Sequence, residues 1–262
     1  MPSAASAAAA PEVTCLEHPG FKPVGTCSRC GRFVCARCET WGDFCAACEY
    51  RRLRELPSLA RWARRARWTL GMGALAALAG VVLNGWLSFQ LHEGVATSAD
   101  ASVYYRLAPL LEVPVVVATG LSALLFLRWL HLAVKTARLL GLDPGTTPAW
   151  AVAWWFIPLA NLYDPYWVVR GLWLSLGGSR KGSAALSAWW TAWVLGGIAW
   201  AVKASTFWAA RTSEEPLQLT SAMLAGLVTG VLITLGALLC IRVISQIQSQ
   251  IDECMDEVAD AA

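Results

Sequence analysis

Charged residues are scarce in this 262-residue chain, at 15% of the sequence against 56% hydrophobic residues. Soluble domains usually carry about 25% charged residues, so this composition excludes a soluble enzyme. Histidine is scarcer still, with three copies, which leaves acid–base chemistry few groups to use. Phosphate-binding glycine loops, dinucleotide fingerprints, zincin helices and Gly-x-Ser-x-Gly elbows are also lacking. We therefore expect a protein that is not an enzyme.

Export signals are lacking as well. Residues 1–14 have neither the basic start nor the apolar core of a signal peptide, and they are predicted to be a disordered leader. The segment that follows is therefore expected in the cytoplasm, where cysteines stay reduced. Seven of the nine cysteines lie between residues 15 and 48, so this cluster is predicted to bind metal rather than to form disulfides.

Four ligand pairs follow one another in the segment 15–49, which we call the head. Two residues separate the members of each pair, and this spacing lets both donors reach one ion. Two pairs complete a closed tetrahedral site, so the head is predicted to hold two structural Zn²⁺ ions and no catalytic one. A segment of about 35 residues buries too little core to fold alone, so the metal must supply folding free energy. The donors are Cys15, His18, Cys27, Cys30, Cys35, Cys38, Cys45 and Cys48.

The gap at residues 31–34 bears on which pairs share an ion. Four residues suit a tight hairpin in which neighbouring pairs diverge to different ions, and this favours an alternating, cross-braced pairing. Sequential pairing is the alternative. In the alternating arrangement the first zinc is bound by Cys15, His18, Cys35 and Cys38, and the second by Cys27, Cys30, Cys45 and Cys48.

The run CLEHPGFKPVGTCSRCGRFVCARC in the head resembles the B-box zinc finger. Both have a C-x2-H opening, an eight-residue gap, a second pair, a glycine and a third pair. B-boxes are cross-braced and bind proteins, so the resemblance implies the alternating pairing and contact with a cytoplasmic protein. The head departs from B-boxes at Cys45 and Cys48, where that family commonly has histidines. Candidate contact residues are Arg29, Arg32, Phe33, Arg37 and Trp41.

Arginine dominates the linker at residues 50–67, with seven copies against the single acid Glu55. Because a hydrophobic span follows directly, the linker is predicted to contact anionic lipid headgroups of the bilayer, and nucleic acid is disfavoured as a partner.

Four hydrophobic stretches of at least 22 residues follow within the body, residues 68–243. Each is long enough to cross a bilayer core of about 30 Å as a helix. Basic residues concentrate at the end of the body that carries the head, so the positive-inside rule places both termini in the cytoplasm. The predicted fold class is an all-α multi-pass membrane protein with a small N-terminal two-zinc domain. The predicted spans are 68–89, 107–131, 184–209 and 217–241.

The segment 148–176 is apolar but interrupted at its centre by Pro158, Asn161, Asp164 and Pro165. Its halves are too short to span a bilayer, and proline blocks helical continuation. We expect a broken, interfacial or shallow re-entrant helix pair on the cytoplasmic face that turns near Asn161.

The same segment carries a second resemblance. The pattern Trp154-Trp155-Phe156-x-Pro158-x2-Asn161-Leu162-x2-Pro165-Tyr166, with Arg170 and Trp173 downstream, is similar to the signature of a bacterial membrane domain family of unknown function. The similarity covers about residues 70–250. It implies four spans in a bacterial inner membrane but no activity, and Asp164 departs from the pattern.

Some charged and polar residues of the body are candidate functional residues. Glu112 and Lys203 lie at similar depth in antiparallel spans, so they are candidates for an ion pair with an ion or proton role, with snorkelling of Lys203 as the alternative. A basic stripe recurs at steps of three, four and three residues on the second span, and it suits a lipid phosphate, a substrate acid or simply a solvated face. Its members are Arg128, His131, Lys135 and Arg138. Asn161 and Asp164 are candidate partners of this stripe.

The acidic tail, residues 244–262, has apolar residues at a helical spacing. We expect it to pack on the basic linker or on a second copy of the chain, so a homo-oligomer is a candidate assembly. The leading interpretation is a membrane protein whose head recruits or signals to a partner. Transport or binding of a small molecule or ion by the body is the alternative, and a zinc or redox sensor is a further one.

Overall fold

A computed structural model describes most of the chain and gives its secondary structure. The predicted ligand Cys38, the candidate contact residues Arg37 and Trp41, and most of the predicted leader lie outside the described residues. The described ranges are 13–15, 18–36, 44–56, 58–94, 98–179, 183–212 and 216–260. The elements are strands β1 (Gly25–Thr26) and β2 (Phe33–Val34), and helices α1 (Ala46–Arg54), α2 (Leu59–His92), α3 (Ser98–Leu139), α4 (Pro148–Ala153), α5 (Asp164–Ser175), α6 (Ser183–Thr212) and α7 (Pro216–Asp260).

The head is built on a small antiparallel hairpin, in which Gly25 pairs with Val34. The turn is closed by two backbone hydrogen bonds: Cys27 N–H donates to the Arg32 carbonyl at 2.8 Å, and Gly31 N–H donates to the Cys27 carbonyl at 2.8 Å. Gly31 has φ +70°, a left-handed conformation that glycine adopts without steric cost. The turn therefore contains the second ligand pair, whereas half of the gap at residues 31–34 belongs to β2.

Four long helices form the body, and all four are long and apolar enough to span a membrane. The main packing runs from α3 to α2, from α2 to α7 and from α7 to α6. The helices extend beyond the predicted spans at the head end: α2 begins within the predicted linker, and α7 continues through the predicted tail to Asp260. Arginine, glutamine and glutamate are good helix formers, so nothing in these flanks ends the helix where the apolar residues stop.

Glycines allow α2 and α7 to approach closely. A Cβ atom added at Gly226 would lie 2.5 Å from Asn84 Oδ1, and one added at Gly230 would lie 2.5 Å from Val81 Cγ2. Small residues promote such contacts in membrane helices because dispersion rather than the hydrophobic effect holds the helices together. The Gly226-x3-Gly230 pattern thus serves packing within this chain.

The largest buried cluster lies at the head end of the bundle, where α2, α3, α4, α5, α6 and α7 converge. Ala63 and Ala66 of α2 share this cluster with Ile247 and Ile251 of α7. The apolar face of the tail is therefore packed inside the same chain, beside the basic start of α2.

The apolar segment 148–176 is broken at its centre. Two short 3-10 turns, Trp154–Phe156 and Ala160–Leu162, separate α4 from α5. The Thr147 hydroxyl caps α4 by accepting a hydrogen bond from Trp150 N–H at 3.3 Å. Proline stands in the first turn of each helix, where its missing N–H costs nothing.

Candidate metal centre and bundle cavity

Four cysteine thiols converge in the head to form the first metal-type cluster. The sulfur atoms of Cys27, Cys30, Cys45 and Cys48 all lie within 4.8 Å of one another. The Cys30 and Cys45 sulfurs are 3.7 Å apart. Zinc–sulfur bonds of about 2.3 Å at tetrahedral angles put two sulfurs about 3.8 Å apart. The cluster therefore has the spacing that a tetrahedral metal ion requires.

Two local structures bring these thiols together. The hairpin turn carries Cys27 and Cys30, while Cys45 is the residue before α1 and Cys48 lies in its first turn. Glu49 N–H donates to the Cys45 carbonyl at 3.0 Å, so the start of the helix is closed directly beside the cluster. The Arg29 guanidinium also pairs with the Glu55 carboxylate at 3.2 Å and connects the hairpin turn to the residue after α1.

The second cluster contains Cys15, His18 and Cys35, whose donor atoms also lie within 4.8 Å of one another. Cys35 Sγ is 3.7 Å from His18 Nδ1. Zinc bonds of about 2.3 Å to sulfur and about 2.05 Å to nitrogen would give about 3.6 Å. A backbone hydrogen bond from Phe21 N–H to the His18 carbonyl, at 3.0 Å, shapes the loop that carries the histidine. The fourth predicted donor, Cys38, lies outside the described residues.

The grouping of the described donors alternates along the chain. Cys15 and His18 of the first pair group with Cys35 of the third, and the second pair groups with the fourth. Sequential pairing would instead require the first and second pairs to meet, and the described residues contain no such group. Thiols and imidazole are the donors that zinc prefers at structural sites.

The thiols of the first cluster differ in acidity. Burial raises the pKa of Cys27, but backbone N–H donors from Cys45, Cys30 and Arg29 outweigh it and lower the pKa to about 6. Burial and the neighbouring thiols raise the pKa of Cys48 to about 12. A metal ion binding here must displace protons, so its affinity rises with pH.

The hairpin also presents an exposed face that is both apolar and basic. Phe33 is 45% exposed, and Val24, Arg29 and Arg32 are exposed beside it. Arg29, Arg32 and Phe33, three of the five contact residues predicted from the sequence, therefore lie on the surface of the head. Part of Arg29 is engaged by Glu55, as described above.

A second candidate site lies in the body, where α3 and α6 face each other. Lys203 Nζ of α6 donates to Glu112 Oε2 of α3, and Trp200 Nε1 donates to Glu112 Oε1 at 3.2 Å. The side chains of Lys203 and Glu112 are 23% and 32% exposed. The paired Glu112 and Lys203 are two of the residues that the sequence nominates. Trp200 was missed, although it stands three residues before Lys203 on the same helical face.

These three side chains line a partly open cavity of about 290 Å³ between α2, α3, α6 and α7. Its other polar groups are Asn84, whose Nδ2 donates to the Gly80 carbonyl at 2.7 Å, and Thr229, whose hydroxyl donates to the Ala225 carbonyl at 2.7 Å. The remaining lining is apolar, including Phe207. An apolar cavity with a few converging polar groups is the common form of a small-molecule site.

Most of the membrane body matches a known protein family. A family model described as a domain of unknown function, DUF4328, matches residues 89–249, which is more than half of the sequence. The chain belongs to the DUF4328 family. The DUF4328 region begins at the end of α2 and ends within α7, so it contains both partners of the ion pair and the broken segment but not the head. Neither a curated protein nor a solved structure matches the chain significantly.

The basic stripe of the DUF4328 region contacts the loop before α4 rather than the broken turn. His131 Nδ1 lies 3.0 Å from the Pro148 carbonyl, and Arg138 donates to the Thr146 carbonyl at 3.4 Å. The Arg128 guanidinium lies 5.7 Å from the centre of the Trp62 ring. Within the described residues, the structure contains no hydrogen bond or ion pair that joins the stripe to Asn161 or Asp164.

The broken turn of DUF4328 instead contacts α6 through aromatic residues. Trp155 packs edge-on against Trp190 and Trp193, and Trp190 Nε1 donates to the Leu162 carbonyl at 3.3 Å. Asn161 Oδ1 and Trp155 Nε1 are buried without a hydrogen-bond partner among the described residues. Trp155 of the signature therefore supports the fold by packing the broken turn onto the bundle, whereas Phe156 is exposed.

Proposed function

We propose that this chain is an integral membrane protein of the bacterial inner membrane whose zinc-stabilised head recruits a partner protein at the cytoplasmic surface. The observation that carries this proposal is the pair of donor clusters in the head. Closed sites of thiol and imidazole stabilise a small fold and leave no position for a catalytic water, so the head is a binding module rather than an enzyme.

The composition and packing of the body support insertion with the head inside. Its four long helices carry many exposed apolar side chains, which suit contact with acyl chains. Arginines concentrate at the head end of the bundle, the side that the positive-inside rule assigns to the cytoplasm. The tail lies at the same end, so both termini are cytoplasmic in this proposal.

The exposed face of the hairpin is the proposed contact surface. Phe33 would provide an apolar anchor, and Arg32 beside it would select a partner with acidic groups around an apolar depression. Zinc at the two clusters would keep this face rigid, which lowers the ordering entropy that binding must overcome.

Cross-linking in intact cells, followed by affinity purification, tests the recruiter. Full-length wild type is compared with a Cys27→Ser, Cys30→Ser form and with Phe33→Ser at matched membrane levels. Val13→Ser, which replaces another exposed apolar residue outside the hairpin, is the control. Partners that are captured by the wild type and the control but lost from both other forms support the proposal. Identical partner lists in all four samples contradict it.

Binding of a small molecule or ion by the body is the second candidate, because an ion pair with a third polar donor lines the cavity. Complementation of a deletion strain separates the two candidates. If the body is the functional part, a chain without residues 1–50 restores the phenotype while Glu112→Ala does not. If the head is the functional part, the result is the reverse. A sensor would instead release zinc under mild oxidant while the bundle stays folded.

A further inference from the structure

The first two turns of α2 present a cationic face to the outside of the bundle. Arg61, Arg64, Arg65 and Trp68 recur at i, i+3, i+4 and i+7, so they lie on one side of the helix. The opposite side carries Ala63 and Ala66, which are fully buried. The arginines therefore do not hold the bundle together, and their common orientation needs another explanation.

This face forms one wall of an open cleft of about 650 Å³ between α2 and α3. Arg61, Arg64 and Arg65 line one end of the cleft, and Trp68, Leu121 and Leu125 line the other. Trp68 is 70% exposed and Leu121 is 46% exposed, so the apolar end is open. Among the described residues no acidic side chain lines the cleft.

Neighbouring groups add positive charge rather than neutralise it. The Arg65 guanidinium lies 5.4 Å from the centre of the Trp62 ring, and Arg128 of α3 lies 5.7 Å from the same ring. Because Arg65 and Arg128 lie over the same ring, the Arg128 guanidinium is close to the three guanidiniums that line the cleft. Arg67, in contrast, donates to the Ser245 hydroxyl of α7 at 3.0 Å and belongs to the packed side.

The position of the cleft along α2 matches a membrane interface. The predicted span begins at Trp68, and 22 residues of helix at 1.5 Å each cover about 33 Å, the thickness of the hydrocarbon core. The arginines one and two turns before it therefore stand at the headgroup level, and Trp68 stands at the boundary that tryptophan prefers.

We infer that this cleft binds a phospholipid with an anionic headgroup. The guanidiniums of Arg61, Arg64 and Arg65 would contact its phosphate, and Trp68 with Leu121 would contact the start of an acyl chain. Guanidinium pairs well with phosphate oxygens, whereas the ammonium of a zwitterionic headgroup would meet only like charge. A free phosphate ion would contact only the arginines and would leave the apolar end of the cleft unfilled. This inference goes beyond the proposed function and does not depend on the head.

Lipid titration of the full-length protein in neutral detergent tests the inference. Phosphatidylglycerol or phosphatidylcholine is added, and retained lipid is counted by native mass spectrometry. The cleft variant is Arg61→Gln, Arg64→Gln, Arg65→Gln. The matched control, Arg51→Gln, Arg52→Gln, Arg54→Gln, removes the same charge from α1. Wild type and control should prefer phosphatidylglycerol, and the cleft variant should bind it roughly 10- to 100-fold more weakly.

Further arms identify the part of the lipid that is recognised. Trp68→Ala keeps every charge and removes an exposed side chain, so the fold should survive while phosphatidylglycerol binding falls. Soluble glycerol phosphate, or a short DNA duplex, should not displace the lipid. Equal binding of both lipids to the wild type, an equal loss in the α1 control, no loss in Trp68→Ala, or displacement by either soluble competitor would each overturn the inference.

Discussion

Removal of either partner of the ion pair between Glu112 and Lys203 should destabilise the bundle, because the other charge is then left unpaired. An unpaired charge near the centre of a membrane helix costs about 2.5–3.5 kcal/mol on insertion scales. Glu112 and Lys203 lie about five to six residues inside the ends of their predicted spans rather than at the centre, so we expect a smaller penalty, about 2 kcal/mol, for leaving one partner alone. Glu112→Gln keeps an acceptor for Trp200 but removes the charge that Lys203 needs. Lys203→Met removes the ammonium and leaves the carboxylate with only its indole donor.

A double-mutant cycle measures the interaction. Glu112→Gln and Lys203→Met should each lower the free energy of unfolding by about 2 kcal/mol, and the double variant should lose less than the two added together, with a coupling of about 1–2 kcal/mol. Reversible unfolding of the purified protein in mixed micelles, followed by circular dichroism, provides the free energies. Glu93→Gln, at an exposed position after α2, is the control and should change little. Single losses below about 0.5 kcal/mol with strict additivity would refute the view that the pair bridges α3 and α6.

Three further predictions concern packing and metal. Gly230→Ala should lower the free energy of unfolding by about 1–3 kcal/mol, because the added Cβ would lie 2.5 Å from Val81 Cγ2. Gly197→Ala is the control: a Cβ added there has no neighbouring atom within 4 Å, so the same assay should show little change. Cys45→Ser should lower the zinc content by one equivalent, measured by mass spectrometry of the metal, and Cys254→Ser should leave it unchanged. A strong chelator should make residues around the hairpin accessible to protease while the helical circular dichroism of the bundle persists, because the proposed zinc would stabilise only the head. Concerted loss of both would contradict this.

Local patterns in the sequence were enough to predict the separate parts of the molecule. Apolar runs predicted four long helices, and the two-residue spacing of the cysteines predicted donors that lie close enough to share an ion. The Trp-Trp-Phe signature suggested a membrane domain family of unknown function, and the match to DUF4328 agrees with that level of description. These features depend on residues that are near one another in the chain, so composition and spacing suffice.

Features that depend on distant residues were harder to predict. The helical spacing of apolar residues predicted that the tail packs on the basic linker or on a second copy of the chain, but it did not decide between them; the fold buries Ile247 and Ile251 beside α2 of the same chain. The cavity lies in the half of the bundle away from the head, where α3 packs on α2, α6 packs on α7, and α3 and α6 meet only through long side chains. The spacing of apolar residues within one helix cannot predict such a cavity. Trp200 could have been nominated from its position one turn before Lys203, but its hydrogen bond to Glu112 requires the tertiary arrangement.

The metal content of the full-length protein tests the central claim most directly. The protein is purified from membranes without chelators, and its zinc is counted per chain beside a Cys15→Ser, Cys27→Ser variant that lacks one donor from each cluster. Two equivalents in the wild type, with both reduced in the variant, are the predicted result. Zinc no higher in the wild type than in the variant, while both retain the same helical content, would contradict a head that is held together by metal.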